Sequence, residues 1–308
     1  MQVLLDRLGR VLLPLLTPFD DQDQVNTQAI ADLVDFVTEK DYADSLIVTG
    51  STGEFYALSR EERILVFKAV KEANAGRLPL IAGTGAVTTR EAIAYTQVAE
   101  ELAYDCVMVV LPYYQKATQE GLYQHFKAIA AATKLPVVIY NIPLFTGVNL
   151  EAETLGRLVR DASNILGIKE EAGINPTQTT EYKLLVPEEF TIFCGDDTMV
   201  LQTLPQGAVG VVSGGSHVVG DLMKRMIQLY LRGNVGGASS VYLEMFPFFQ
   251  RLAPAGRINP IPVLKTVVTL TSGIDMGAPR LPGLGATEAE LAAIRSVLES
   301  LGKLPAAE

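Results

Sequence analysis

Eight short apolar runs rich in β-branched residues recur along this chain, and helical segments separate them. The runs lie at residues 11–17, 45–49, 78–82, 106–111, 136–141, 165–169, 191–194 and 208–213. Between them apolar residues fall at helical spacing, as in Ile64, Leu65, Phe67 and Val70, or Ile93, Val98 and Leu102. Strands alternating with helices build βα units on a parallel sheet. The runs are continuously apolar, so both faces of that sheet are covered. Eight units fit a closed (β/α)₈ TIM barrel of the α/β class better than an open doubly wound sheet. The open sheet would want a Gly-x-Gly-x-x-Gly turn after its first strand, and here the chain reads Pro18-Phe19-Asp20-Asp21.

From about residue 218 the strand signal fades. Helical stretches follow at 221–231, 238–252, 262–270 and 287–301, with a Pro- and Gly-rich turn at 278–283 before the last. The expected organisation is a barrel over residues 1–225 and a C-terminal helical extension over 226–308.

Composition narrows the function. A net charge of −10 argues against nucleic acid as a partner, because phosphate binding wants a basic surface. Only two histidines occur, His125 and His217, too few for a multi-histidine zinc site. The two cysteines, Cys106 and Cys194, sit inside apolar runs and read as small buried hydrophobes. The early apolar run at 11–16 contains Pro14 and is too short for a membrane span or signal peptide. The expectation is a soluble, cytoplasmic protein.

One residue stands against this background. Lys169 lies in the apolar strand run Ile165-Leu166-Gly167-Ile168-Lys169-Glu170, while the chain's other lysines fall on helical or loop stretches. Burial disfavours the charged form of an amine and lowers its pKa, and a neutral amine attacks a carbonyl to form a Schiff base. The plainer alternative is a lysine that snorkels from the strand end or pairs with Glu170 or Glu171.

Barrel enzymes draw their catalytic groups from the C-terminal ends of strands. Here those ends carry Gly50-Ser51-Thr52-Gly53-Glu54, Pro112-Tyr113-Tyr114, Tyr140-Asn141-Ile142-Pro143, Lys169-Glu170, Gly195-Asp196-Asp197 and Ser213-Gly214-Gly215. The hydroxyls of Ser51 and Thr52, with free backbone N–H groups, would make a carboxylate cradle, although a bare βα turn would look the same. Tyr140 is either a core aromatic or, one strand from Lys169 and about 5 Å away, a proton relay.

These motifs together resemble the pyruvate-dependent class I aldolase family that contains dihydrodipicolinate synthase and N-acetylneuraminate lyase. The likeness runs from about Leu13 to beyond Leu270 and is closest overall to dihydrodipicolinate synthase, through the tyrosine pair, the stretch from Gln119 to Phe126, and Asn259-Pro260-Ile261-Pro262-Val263. His125, on a helix in that stretch, reads as structural. The resemblance implies a lyase in which Lys169 forms the Schiff base with pyruvate and Tyr140 shuttles its protons. Thr52 would stand between Tyr140 and Tyr114, with Tyr114 crossing from a neighbouring subunit of a homodimer or homotetramer. Ser51 and Thr52 would hold the pyruvate carboxylate, and Gly195 and Val212 would line the imine pocket. No cofactor is implied, because the imine itself is the electron sink.

Two departures qualify the likeness. Synthases of this family usually carry an arginine two residues after the proline of Tyr-Asn-x-Pro, for the carboxylate of the aldehyde substrate, and here that position is Phe145. An apolar ring cannot make a charge-assisted pair with a carboxylate. The favoured activity is condensation of pyruvate with aspartate semialdehyde, towards lysine biosynthesis. The alternatives are a 2-keto-3-deoxy sugar-acid or N-acetylneuraminate-type aldolase and, in another class, a non-catalytic small-molecule sensor. Lysine-inhibited members place an asparagine and histidines where this chain has Val87, Arg60 and Arg63, so lysine feedback is not expected.

Overall fold

The computed structural model describes residues 4–171, 175–254 and 258–304. Its centre is a closed barrel of eight strands, β1 (Val11–Pro14), β2 (Ser45–Val48), β3 (Leu80–Gly83), β4 (Cys106–Val110), β5 (Val137–Asn141), β6 (Ile165–Glu170), β7 (Thr191–Cys194) and β8 (Gly210–Val212). Neighbouring strands pair in parallel in chain order, and β8 returns to β1 with Leu12 opposite Val212. All eight expected runs contain strands; six of the strands are shorter than their runs by up to three residues, β7 matches its run, and β6 extends one residue beyond it to Glu170.

Parallel strands need crossovers, and helices supply them outside the barrel. The helix Arg60–Asn74 begins at Ser59, whose hydroxyl accepts from the Glu62 N–H while Glu62 reaches back to the Ser59 N–H. That reciprocal cap fixes where the turn after β2 ends and the crossover begins. Two apolar layers result. Inside the barrel, Leu12, Ile47, Ile81, Met108, Val138 and Phe193 fill the bore, with Cys106 among them and Leu4 and Leu8 of the first helix, Leu4–Leu8, packed on the same cluster. The outer layer packs the other strand faces against the helices and includes Leu13, Leu46, Val109 and Ile139, together with Cys194. Closing the bore brings backbones close. A Cβ on Gly210 would sit 2.2 Å from the Arg10 carbonyl oxygen, so only glycine fits where β8 meets β1.

Three helices follow the barrel's last one: Val235–Leu252, Ile261–Ser272 and Glu288–Ser300. The division expected at residue 225 falls inside the helix Ser216–Leu231, which runs across it. We propose the turn at Arg232-Gly233-Asn234 as the boundary, since the chain leaves helical geometry there.

Candidate active site

Alternation along β6 decides what enters the barrel mouth. Successive strand side chains point to opposite faces. Lys169 turns inward and is 7% exposed. Glu170 turns outward, where it accepts from Asn141 Nδ2 at 2.8 Å and Gln178 Nε2 at 3.3 Å, and burial pushes its carboxyl up to about 7. It is therefore no partner for Lys169. Burial lowers the pKa of Lys169, opposed by Glu171 and then Asp197. The desolvation expected of a strand lysine is present.

Tyr140 on β5 stands directly opposite Lys169 in register. The amine lies over its ring, 3.8 Å from the centroid. Burial drives the phenol well above its ordinary pKa, with Glu171 adding to the rise and the Ser51 hydroxyl acting against it. Such a phenol stays protonated and can return a proton only to a strong base such as a carbinolamine oxygen or enamine carbon.

The turn after β2 supplies the second wall. Gly53 N–H donates to the Gly50 carbonyl and Glu54 N–H to the Ser51 carbonyl, each at 3.0 Å. The N–H groups of Ser51 and Thr52 are left without a protein acceptor among the described residues, and both residues line the cleft. Gly53 lets the turn lie against β1, since a Cβ there would be 3.0 Å from the Leu15 carbonyl oxygen. Glu54 ends the turn in a left-handed conformation, φ 53°, with its carboxylate 2.7 Å from Lys265 Nζ.

Lys169, Tyr140, Ser51, Thr52, Gly195, Val212 and Phe145 all line one open cleft of about 1050 Å³ at the C-terminal end of the barrel. Tyr114 does not join them. It is 92% exposed, on a backbone with φ 75°, while Tyr113 beside it is half-buried against Phe55. The sequence reading named Glu171 only as a pairing alternative for Lys169 and gave Asp196 and Asp197 no role, yet all three line the same cleft. The signal for Glu171 was available, because it lies two residues beyond Lys169 on an alternating strand. It also missed the far wall, where Phe249, Leu252, Ile258 and Ile261 of the C-terminal extension close over the mouth.

His125 is buried on the helix Gln119–Ala131, with Nδ1 2.9 Å from the Thr89 hydroxyl, and its burial depresses its pKa to about 4. Both cysteines are buried and free. Arg63 is buried between the rings of Phe55 and Tyr95 and donates to the carbonyls of Gly83 and Gly85. Among the described residues no helix is long and apolar enough to cross a membrane.

The family model described as the dihydrodipicolinate synthetase family matches residues 7–301. The chain belongs to that family. A curated relative from Bacillus subtilis (strain 168), named 4-hydroxy-tetrahydrodipicolinate synthase, is 43% identical over 294 residues, covering 95% of this chain and 99% of its own. A relative of the same name from Desulforudis audaxviator is 42% identical over 94% of this chain and 96% of its own. Among solved structures, the dihydrodipicolinate synthase of Cyanidioschyzon merolae with lysine bound superposes with a TM-score of 0.91 at 35% identity, over 96% of this chain and 99% of that one. That from Thermotoga maritima gives 0.90 at 32% identity, over 97% and 100%. The resemblance carried by residues 50–54, 140–143 and 167–170, and the barrel it implied, are borne out by dihydrodipicolinate synthetase family membership.

Proposed function

We propose that this enzyme, a lyase of the class I aldolase type, condenses pyruvate with aspartate semialdehyde in the manner of the 4-hydroxy-tetrahydrodipicolinate synthases it resembles. The observation that carries the reading is a buried amine at the end of β6, without an ion pair among the described residues, lining one cleft with the hydroxyl-bearing turn after β2. Neutral Lys169 adds to C2 of pyruvate, and loss of water leaves an imine. Ser51 and Thr52, with their unused N–H groups, hold the pyruvate carboxylate and so orient C2 towards the amine. Tyr140 moves a proton to and from the C3 carbon as imine and enamine interconvert, and the enamine carbon then attacks the aldehyde. Gly195 and Val212 leave space for the imine. Tyr114 reaches the site of a neighbouring subunit, in a homodimer or homotetramer working in the cytoplasm. No cofactor takes part in these steps.

A second reading is favoured by Phe145, which lines the cleft 46% exposed where a cation would serve a carboxylated aldehyde. It is an aldolase for a 2-keto-3-deoxy sugar acid or N-acetylneuraminate-type substrate, with the same imine and a hydroxylated acceptor. Incubation with pyruvate and borohydride tests what both readings share. One reduced pyruvate adduct is expected, mapped by peptide mass to Lys169 and absent in Lys169→Ala. An adduct elsewhere, or none, overturns both. Product masses from pyruvate with a panel of aldehydes then separate them.

A further inference from the structure

Strand β6 goes on delivering side chains to the cleft beyond Lys169. The Glu171 N–H still donates to the Asn141 carbonyl, at 3.1 Å, so the pleat continues one step past the strand's last residue. Alternation then sends Glu170 outward and Glu171 inward again, onto the same side as Lys169. The two side chains meet over Gly195. A Cβ built on that glycine would lie 2.7 Å from Glu171 Oε2 and 2.9 Å from Lys169 Cε. Any larger residue at 195 would push one of them aside.

The neighbouring acids are each held through one oxygen, and Asp197 Oδ1 is buried without a hydrogen-bond partner among the described residues. Asp196 Oδ1 accepts from the N–H and hydroxyl of Thr198, and Asp197 Oδ2 accepts from the Gly215 N–H at 2.9 Å. Glu170 is held by Asn141 and Gln178. The Glu171 carboxylate has no hydrogen-bond donor among the described residues. Tyr140 meets the amine with the face of its ring. Glu171 stands beside Lys169, over Gly195, as a second acid able to give a proton to the oxygen expelled when an imine forms on Nζ.

We propose that Glu171 is a catalytic acid–base residue of imine formation, giving a proton to the hydroxyl that leaves the carbinolamine and remaining as counter-ion of the imine. The proposal rests on the Schiff-base reading above. Neutral Lys169 adds to the C2 carbonyl, and one proton passes from nitrogen to oxygen to give the neutral carbinolamine. The C2–O bond then breaks while the Glu171 proton goes to that oxygen, so that water departs. The nitrogen lone pair forms the C=N bond, leaving one positive charge on the imine and one negative charge on Glu171. Atoms and charge balance without a co-reactant.

The groups facing Glu171 are Lys169 on β6, Tyr140 on β5, and Asp196 and Asp197 after β7, while Glu170 acts on it from the opposite face of β6. Burial raises its pKa, Lys169 opposes the rise, and Asp196 and Asp197 add to it, giving about 8. Held above the usual carboxylate range, the carboxyl keeps the proton it must donate to a higher pH than an exposed glutamate would.

The test is a time course of borohydride-trapped pyruvate adduct on the full-length protein, followed by intact mass. Glu171→Gln and Glu171→Ala should slow trapping by about 10²–10⁴-fold, the usual range for a lost general acid, while the adduct still reaches Lys169 at long times. Formate or acetate should restore much of the rate in Glu171→Ala, and the alkaline fall near pH 8 should vanish from the profile of Glu171→Gln. Trapping at the parent rate in both variants overturns the proposal, as does slow trapping that small carboxylic acids do not rescue, which marks a merely structural residue. Absence of any adduct in the parent protein is a different failure, since it removes the Schiff-base reading itself.

Discussion

An amine inside a protein must either be neutralised or be given a partner, and this chain does one at each of two lysines. Lys265, 1% exposed on the helix Ile261–Ser272, keeps its charge against the Glu54 carboxylate at 2.7 Å and over the ring of Phe19. Lys169, 7% exposed, has a tyrosine ring and a raised carboxyl beside it and no salt bridge among the described residues. Burial alone would rank Lys265 above Lys169, and it is the lack of a salt bridge among the described residues that sets Lys169 apart. Under the proposed reading, substrate choice turns on Phe145. A lost charge-assisted contact is worth roughly 1.5–3 kcal/mol, or about 10–150-fold in affinity. Aspartate semialdehyde should therefore show a high KM, which Phe145→Arg lowers by about that factor while raising the KM of an uncharged hydroxyaldehyde. Steady-state kinetics with both aldehydes checks this, and an unchanged or worsened KM for aspartate semialdehyde in Phe145→Arg means its carboxylate is held by another group. Phe145, Lys169 and Tyr140 were legible in the sequence because each sits at a fixed offset within a strand-end motif. Glu171 was legible only as a possible partner of Lys169, because it lies past the apolar run although the pleat continues through it.

At the scale of elements, the turn after β2 and the helix Ile261–Ser272 hold each other in place. Glu54 sits in a left-handed conformation that a non-glycine residue adopts only when its surroundings require it. The requirement comes from its carboxylate, fixed by Lys265 on one oxygen and by the Arg280 N–H on the other. Arg280 in turn donates to the Ala57 carbonyl and pairs with Glu62 and Asp23. The turn that presents Ser51 and Thr52 is thus anchored to the extension, not to the barrel alone. Removing one partner of a buried ion pair leaves an uncompensated charge and costs about 3–5 kcal/mol, whereas replacing both by apolar residues is often neutral. Glu54→Gln should lose that much stability in denaturant titrations and raise the KM for pyruvate by loosening the cradle. Glu54→Leu combined with Lys265→Met should recover most of the stability and little of the KM. If the single variant unfolds at the parent's denaturant midpoint, the pair does not anchor the turn. Nothing local in the sequence announces this contact, because its partners lie 211 residues apart. The glycines and hydroxyls of the turn were readable, and the reason the turn keeps its shape was not.

For the whole molecule, eight alternating units were enough to read the barrel, since hydrophobic periodicity is a local property repeated eight times. The cleft's outer wall was not readable, because Phe249 and Ile261 reach the mouth through helix packing that no period encodes. Assembly is the remaining level, and Tyr114 bears on it. A tyrosine 92% exposed at φ 75° gains nothing from its own chain and strains its backbone. Its hydroxyl cannot serve the Lys169 of the same subunit from outside the cleft, so any part it plays in the relay is played in a neighbour's site. That has a consequence no single-chain reading shares. Lys169→Ala and Tyr114→Phe should each be nearly inactive as pure assemblies. Mixed by co-expression, or by dilution and reassembly, they should regain activity, because each mixed dimer contains one site with an intact lysine and an intact incoming tyrosine. The recovered rate should follow the fraction of mixed dimers measured by native mass spectrometry. A mixture no more active than its two components, with mixed dimers present, would place Tyr114 outside the chemistry and leave its exposure to be explained by packing between subunits alone.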